Sequence, residues 1–217
     1  MELALLPDCE RQRNFASARR KQQYLCGRAL LRRVLQEYTS APGISFELSA
    51  TDDGKPVFMG GPAISISHTG DLVACCVAES GDVGIDLEVN NDQRETREVA
   101  NKFFSAEESA WLGSQPSDRF FMLWVLKEAY VKATGLSIFG GVNRLRCTVV
   151  PPDINVLGNA DRMRELRLYS LGGTFLALAT TSESLLETRF VTWNSSTDEL
   201  LPGTDAQLLA VSGDLAN

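Results

Sequence analysis

Two stretches of this chain share one pattern: a β-strand, a glycine turn and a second strand rich in small residues. They are AISISHTGDLVACCVA at 63–78 and LRLYSLGGTFLALATT at 166–181. Their turn glycines, Gly70 and Gly173, lie roughly half a chain length apart in a sequence of 217 residues. Each stretch follows a predicted long helix and precedes another predicted strand. A repeat at this spacing predicts two similar halves, each of mixed α+β structure.

Hydrophobic periodicity predicts the remaining elements. Possible capping boxes, Asp92 with Glu95 and Ser105 with Glu108, indicate two helix starts. From 194 to 217 the chain is rich in Ser, Thr, Asp and Gly, which predicts a loosely ordered tail. The predicted helices cover 17–38, 93–104, 106–112 and 118–134, and the predicted strands cover 44–49, 63–67, 72–78, 83–89, 144–150, 166–171, 174–181 and 188–193.

Composition places the chain among globular proteins, with 44% hydrophobic and 23% charged residues. Its first residues lack a basic stretch followed by an apolar one, so we expect no secretory signal. The longest apolar run, LVACCVA at 72–78, is too short to span a bilayer. Five cysteines without CxxC spacing, two of them adjacent at Cys75 and Cys76, predict reduced thiols and a cytoplasmic location.

Charge is distributed unevenly along the chain. The formal net charge of -7 argues against a general nucleic-acid binder. Residues 11–33 nevertheless contain many Arg and Lys residues and no acid. Such a block is consistent with a solvated helix face, with a site for a small anion such as a nucleotide phosphate, or with a surface for an acidic partner.

The strand VGIDLEV at 83–89 contains two carboxylates in an otherwise apolar run. On a strand, Asp86 and Glu88 point to the same side, and Leu87 points to the other. Two carboxylates so placed can converge on one hard cation such as Mg²⁺, which prefers oxygen ligands. An edge strand with one solvent-exposed face would explain the same pattern.

A second pattern, WVLKEAYVK at 124–132, is helical in spacing. Trp124, Glu128 and Lys132 would share one face of that helix. The order of Glu128 and Lys132 also suits an ordinary ion pair, and the tryptophan suits a core position. The only histidine, His68, lies in SISHT at a strand end, and Lys55 lies in the turn-like DDGKPVF.

Taken together and in this order, five segments resemble one family, the 4′-phosphopantetheinyl transferases. The segments are GKPVF, SISHT, GIDLEV, KFFSAEE and WVLKEAYVKATG. Length, order and the internal repeat resemble the larger, Sfp-like type, in which two similar α+β halves form a pseudo-two-fold single chain. The resemblance implies an N-terminal half at 1–90, a C-terminal half at 91–193 and a polar tail at 194–217.

The resemblance also implies a reaction. The phosphopantetheine arm of coenzyme A moves to a serine of an apo carrier protein, and adenosine 3′,5′-bisphosphate is released. Asp86, Glu88 and Glu128 would hold Mg²⁺, with Mn²⁺ as a substitute, and Lys132 would neutralise the diphosphate. Asp86, Glu128 and Lys132 are therefore the expected catalytic residues. Either Glu128 or a metal-bound water would take the serine proton.

The same resemblance implies contacts with the phosphates of coenzyme A from Lys55, Ser67, His68 and Lys132. Within the basic helix, Arg20 and Arg28 are candidates for the 3′-phosphate, because arginine forks suit a terminal phosphate. The segment GLSIFGGVN at 135–143 departs from the family pattern, which leaves the conformation of that loop open.

The implied partner is an acyl or peptidyl carrier protein, bound by a monomer with no nucleic acid or membrane involved. Because carriers are acidic, we expect docking through the basic block and through exposed aromatic residues, exemplified by Phe104, Trp111, Phe120 and Phe121. Each of these aromatics would suit a core position equally well. The Sfp-like size favours secondary metabolism or a broad range of carriers. Two other functions stay open: a different magnesium-dependent enzyme such as a pyrophosphatase, and a non-catalytic module that binds coenzyme A or a carrier.

Overall fold

The computed structural model describes residues 6–39, 48–50, 55–58, 60–91, 96–113, 116–158, 160, 162–182, 189–194, 199–203, 206–212 and 215. The helices described are α1 (Asp8–Arg11), α2 (Ala18–Thr39), α3 (Thr96–Phe103), α4 (Ala106–Leu112), α5 (Pro116–Thr134) and α6 (Ile138–Gly141). The strands described are β1 (Leu48–Ala50), β2 (Pro56–Phe58), β3 (Ala63–Thr69), β4 (Leu72–Ala78), β5 (Val83–Val89), β6 (Cys147–Val150), β7 (Asp153–Val156), β8 (Glu165–Leu171), β9 (Thr174–Thr180), β10 (Val191–Asn194), β11 (Glu199–Pro202) and β12 (Gln207–Val211).

The largest sheet has six strands in the order β5-β9-β8-β12-β7-β6. β9 is buried along its whole length, because both faces of the sheet are covered there. Phe175, Ala177 and Ala179 belong to the main core with α5, whereas Leu176 and Leu178 pack in a second cluster on the opposite face. The alternation of side chains along one strand thus serves two cores.

α5 is the central helix of the molecule. Its middle turns, residues 120–131, are buried apart from the half-buried Met122. A helix that is apolar on nearly all sides must be surrounded by other elements. α5 accordingly packs against β5, β8 and β9, and α3, α4 and α6 also contact it.

The repeat seen in the sequence corresponds to two antiparallel hairpins. β3 pairs with β4 around Gly70, and β8 pairs with β9 around Gly173. Both glycines have positive φ angles, +54° and +82°, which a turn of this kind requires. A long helix packs on each hairpin: α2 on β3 and β4, and α5 on β8 and β9. The expected α+β fold with two similar halves is confirmed.

Most element predictions are confirmed within a few residues. The strands at 72–78 and 83–89 have the predicted bounds, and Ser105 and Glu108 form a capping box. The predicted strand over 144–150 covers only β6, because a turn precedes it. β2 and β7 were missed. The capping box at 92–95 and the strand start at 44–47 lie outside the described residues.

The expected loose tail is wrong for part of its length. β11 pairs with β10, and β12 enters the main sheet between β8 and β7. Ala210 and Ser212 are buried. The apolar residues QLLAV close an edge of β8 whose backbone groups would otherwise lack partners, and the surrounding polar composition conceals this short strand.

The strand with the two carboxylates crosses the predicted border between the halves. We placed β5 in the N-terminal half, but it pairs with β9 along its entire length. The division at residue 90 therefore stays a prediction. In the part of the chain that the structure describes, no helix is long and apolar enough to cross a membrane.

Candidate active site

A glycine brings the carboxylate strand against the central helix. A Cβ atom on Gly84 would lie 2.0 Å from the carbonyl oxygen of Ala129 and 2.6 Å from the amide nitrogen of Ala133. Only glycine therefore lets β5 approach the backbone of α5 this closely. At the same contact, Lys132 of α5 donates hydrogen bonds from Nζ to Ile85 O (3.0 Å) and to Asp86 Oδ1 (2.7 Å) on β5.

Asp86 is buried, with 6% of its surface exposed. Its Oδ1 accepts hydrogen bonds from Ser67 Oγ at 2.6 Å and from Lys132 Nζ at 2.7 Å. Its Oδ2 is buried and has no hydrogen-bond partner. Leaving a buried carboxylate oxygen unsatisfied is costly, so this atom fits the role of a cation ligand.

The other two predicted metal ligands are Glu88, two residues after Asp86 on β5, and Glu128 on α5. Glu88 is half-buried, and its Oε2 accepts a hydrogen bond from Thr69 Oγ1 at 3.0 Å. Glu128 is buried one helical turn before Lys132. Across the described residues, no three acidic, histidine or cysteine side chains stand together in a group ready to hold a metal ion. The cation that faces Asp86 in this arrangement is Lys132, and the three-carboxylate metal site remains a prediction.

Positive charge gathers at the ends of β3 and α5. A guanidinium nitrogen of Arg20 contacts both ring nitrogens of His68, with a distance of 3.2 Å to Nδ1. Burial, together with the charges of Arg20 and Lys132, lowers the pKa of His68 below its ordinary 6.5, so the ring is neutral at neutral pH. Lys55 donates from Nζ to the backbone carbonyl of Lys132. The structure thus places four predicted phosphate contacts, Lys55, His68, Lys132 and Arg20, in one neighbourhood.

Arg28, the second candidate for the 3′-phosphate, is buried beside α1. Only 5% of its surface is exposed; its guanidinium lies 3.8 Å from Glu10 and 5.3 Å from the ring centroid of Tyr24. Arg32 donates two hydrogen bonds to the same glutamate, at 2.8 and 3.1 Å. These contacts hold α1 against α2. One guanidinium nitrogen of Arg28 is buried without a hydrogen-bond partner. Its role as a ligand of the 3′-phosphate therefore stays a prediction, and Arg20 is the exposed candidate.

Of the four aromatic residues expected at the docking surface, two are fully buried and two are half-buried. Phe120 and Phe121 have 0% exposure, because α5 is buried on all sides at that point. Phe104 and Trp111 are half-buried against the same core. The strongly exposed aromatic among the described residues is Phe139 (77%), and the Nζ atom of Lys102 lies 5.0 Å from its ring centroid.

A buried ion pair next to Glu128 was missed by the sequence analysis. Lys127 has 0% exposure; its Nζ lies 2.8 Å from Glu108 Oε1 and donates to the carbonyls of Val142 and Leu145. Glu108 also accepts from the backbone amide of Cys147. The pair therefore joins α4 and α5 to the segment that leads into β6, which follows the divergent 135–143 loop. A lysine inside an apolar helix was the available signal.

Comparisons with known proteins match most of the chain to one family. The 4′-phosphopantetheinyl transferase N-terminal domain matches residues 10–78, and the 4′-phosphopantetheinyl transferase superfamily model matches residues 82–173. The border between the two matches falls before β5, in agreement with the pairing of β5 with β9.

Curated relatives carry the same description. The chain is 36% identical over 140 residues to the 4′-phosphopantetheinyl transferase psf-1 of Bacillus pumilus, covering 62% of this chain and 58% of that protein. It is 34% identical over 122 residues to AcpT of Salmonella typhi (54% and 60%) and 30% identical over 134 residues to HetI of a Nostoc species (58% and 56%). The matches thus span less than two thirds of the length of these relatives.

Proposed function

Because this chain belongs to the 4′-phosphopantetheinyl transferase superfamily, in its Sfp-like type, we propose that it transfers the phosphopantetheine arm of coenzyme A to a serine of an apo carrier protein. The observation that supports this most directly is Asp86. Its carboxylate is buried, one oxygen is held by Ser67 and Lys132, and the other has no hydrogen-bond partner. An acidic residue in that state is suited to binding a cation rather than to stabilising the fold.

The proposed metal is Mg²⁺, with Mn²⁺ as a substitute, and its ligands are Asp86, Glu88 and Glu128. Carboxylate oxygens are the ligands that Mg²⁺ takes alongside substrate phosphates. When bound, the ion would supply positive charge at the diphosphate of coenzyme A.

The remaining roles are carried by this chain's own side chains. The serine oxygen attacks the β-phosphorus, and the bond from that phosphorus to the oxygen of adenosine 3′,5′-bisphosphate breaks. Lys132, whose side chain is 26% exposed, stabilises the negative charge that the leaving group gains. Glu128, or a neighbouring water, accepts the serine proton.

The phosphates of coenzyme A are proposed to bind where the cationic side chains gather. Arg20 and Lys55 supply charge, and neutral His68 supplies a hydrogen bond without repelling its cationic neighbours. Ser67, predicted together with them, is buried and donates its hydroxyl proton to Asp86, so it supports that carboxylate rather than a phosphate. Arg20 is the exposed candidate for the 3′-phosphate, and Arg28 is the buried one.

The proposed partner is an acidic acyl or peptidyl carrier protein, bound by a monomer. Exposed cations of the basic block, such as Arg13 and Lys21, supply charge of the complementary sign. Phe139 with Lys102 takes the place of the buried aromatics as the apolar contact. The free cysteines fit a reducing compartment, so we place the reaction in the cytoplasm.

The deciding experiment is the intact mass of an apo carrier protein after incubation with the chain, coenzyme A and Mg²⁺. We expect a gain of about 340 Da, the mass of the phosphopantetheine arm, that disappears with EDTA. Cleaved coenzyme A without a mass gain would favour the pyrophosphatase. Intact coenzyme A with no gain on a panel of fatty-acid, polyketide and peptide carriers would favour a binding module.

Substitutions at Asp86 on β5 and at Asp82, just before β5, separate an effect on the reaction from an effect on folding. Asp86→Asn keeps the shape of the side chain and removes its charge, so we expect turnover to fall about 100-fold or more. Asp82→Asn is the matched control, because Asp82 is half-exposed and pairs with Arg162 at 3.1 Å on the surface. Equal activity of both variants, with unchanged thermal unfolding, would refute the role given to Asp86.

A further inference from the structure

The strand that holds the two carboxylates is bonded differently on its two edges. On one edge, β5 pairs with β9 through the backbone. On the other edge, its amides donate to side-chain hydroxyls of β3, which we call the hydroxyl row (Ser65, Ser67 and Thr69). The pairs are Ile85 N to Ser65 Oγ (3.2 Å), Leu87 N to Ser67 Oγ (3.4 Å) and Val89 N to Thr69 Oγ1 (3.4 Å). Both strands contribute every second residue, as the strand period requires.

The direction of each hydroxyl proton follows from these bonds. A backbone N–H can only donate, so the hydroxyl oxygen must accept and its own proton is left for another acceptor. Ser67 gives that proton to Asp86 Oδ1 at 2.6 Å, and Thr69 gives its proton to Glu88 Oε2 at 3.0 Å. Each of these hydroxyls therefore bridges a carboxylate and the amide of the next residue.

The third member of the hydroxyl row, Ser65, separates two roles of these side chains: docking β3 on β5 and contacting a carboxylate. Ser65 makes the same bond to a β5 amide, but the residue before that amide is Gly84, which has no side chain. Ser65 therefore contributes to docking β3 on β5 and touches no carboxylate of the site. Thr69 contacts both the carboxylate of Glu88 and the amide of Val89, although Val89 is exposed.

We infer that Thr69 is a positioning residue for Glu88, holding one carboxylate oxygen so that the carboxylate stays aimed at a divalent cation shared with Asp86. This inference rests on the proposed function. A hydrogen bond to an ionised acceptor is roughly twice as strong as a neutral one. Partners that orient metal-binding side chains typically change metal affinity by about 10- to 100-fold when they are removed.

The test compares Thr69→Val with Thr69→Ser in the full chain. Valine keeps the branched shape and removes the hydroxyl, whereas serine keeps the hydroxyl and removes the methyl group. Binding of Mn²⁺ alone is followed by the electron paramagnetic resonance signal of the free ion. We expect Thr69→Val to weaken Mn²⁺ binding by about 10- to 100-fold and Thr69→Ser to restore most of it.

Ser65→Ala is the matched control, because it removes the acceptor of an amide-to-hydroxyl hydrogen bond in the same row without touching a carboxylate. We expect it to lower the melting temperature while Mn²⁺ binding stays at the wild-type level. A kinetic readout accompanies the binding assay: Thr69→Val should raise the Mg²⁺ concentration at half-maximal rate more than it lowers the rate at saturating Mg²⁺.

Three results would overturn the inference. Wild-type Mn²⁺ affinity in Thr69→Val would show that the hydroxyl does not orient Glu88. Equal losses in Thr69→Val and Thr69→Ser would assign the effect to the methyl group, and an equal loss in Ser65→Ala would assign it to the β3–β5 contact in general. Failure of the proposed function looks different: the wild-type chain itself would then bind no Mn²⁺ and would leave carrier proteins unmodified.

Discussion

The pKa of His68 depends on the burial of its ring and on the charges of its neighbours. Burial is the largest cause that lowers the pKa of His68, and the positive charges of Arg20 and Lys132 lower it further, against the smaller opposing effect of Glu88. The histidine is therefore suited to hydrogen bonding in its neutral form rather than to carrying charge. Its role near anionic phosphates then depends on the cations around it, which supply the charge.

The first prediction concerns this histidine. A proton titration followed by nuclear magnetic resonance should give His68 a pKa below 6.5, and Arg20→Gln should move that pKa upward. As the pH falls, the unfolded state takes up the proton before the folded state does. His68 should therefore have no effect on the free energy of unfolding above pH 6.5. Below pH 6.5 that free energy should fall until the pH reaches the folded-state pKa. A slope in this window that persists in His68→Gln would assign the effect to another group.

At the scale of elements, the site depends on the close contact between β5 and α5. Gly84 allows the strand to reach the helix backbone, and the ion pair of Lys127 with Glu108 ties the same helix to α4 and to the segment before β6. The carboxylates of β5 and the residues of α5 therefore meet because two elements distant in sequence are locked together by features that carry no chemistry themselves.

The second prediction tests that contact. Gly84→Ala places a Cβ atom 2.0 Å from the Ala129 carbonyl, so β5 and α5 must separate, and we expect a loss of about 1 to 3 kcal/mol in the free energy of unfolding together with reduced transfer. Gly140→Ala serves as the control, because its Cβ would meet only Ser137 Oγ, at 3.3 Å. Comparable urea midpoints for the two variants would contradict the close approach.

At the scale of the whole molecule, two hairpins with their helices are joined by β5, and the C-terminal strand completes the sheet. β12 lies between β8 and β7, with an irregularity between Leu208 and Ala210. That irregularity accounts for a difference within one short strand: Leu208 is 48% exposed, whereas Ala210 is 1% exposed.

The third prediction follows from this difference. Ala210→Asp buries a charge in the core and should lower the free energy of unfolding by about 3 kcal/mol or more, whereas Leu208→Asp should change it by less than about 1 kcal/mol. Urea unfolding of the two variants measures both. Similar small losses would mean that residues 207–211 are not held in the sheet.

Much of the fold follows from local pattern, and part of the site does as well. The hairpin at β3 and β4, the strand β5 and the helix α5 are visible because their periodicity and turn glycines are local properties. The gathering of Lys55, His68 and Lys132 came from motif resemblance. The exposure expected for Phe120 and Phe121 was wrong, because their burial depends on elements far away in the chain.

The sequence by itself determined the family, the two-part α+β architecture, and which residues bear charge in the motifs, since these depend on residue type, order and spacing. The tertiary structure alone decided the burial of Asp86 with one oxygen unpartnered, the contact of Arg20 with His68, the Lys127–Glu108 pair, the hydroxyl row and the place of β12. Each of these features joins residues separated by tens of positions. Local periodicity contains no information about such pairs, because it records only which face a residue occupies and not what that face meets.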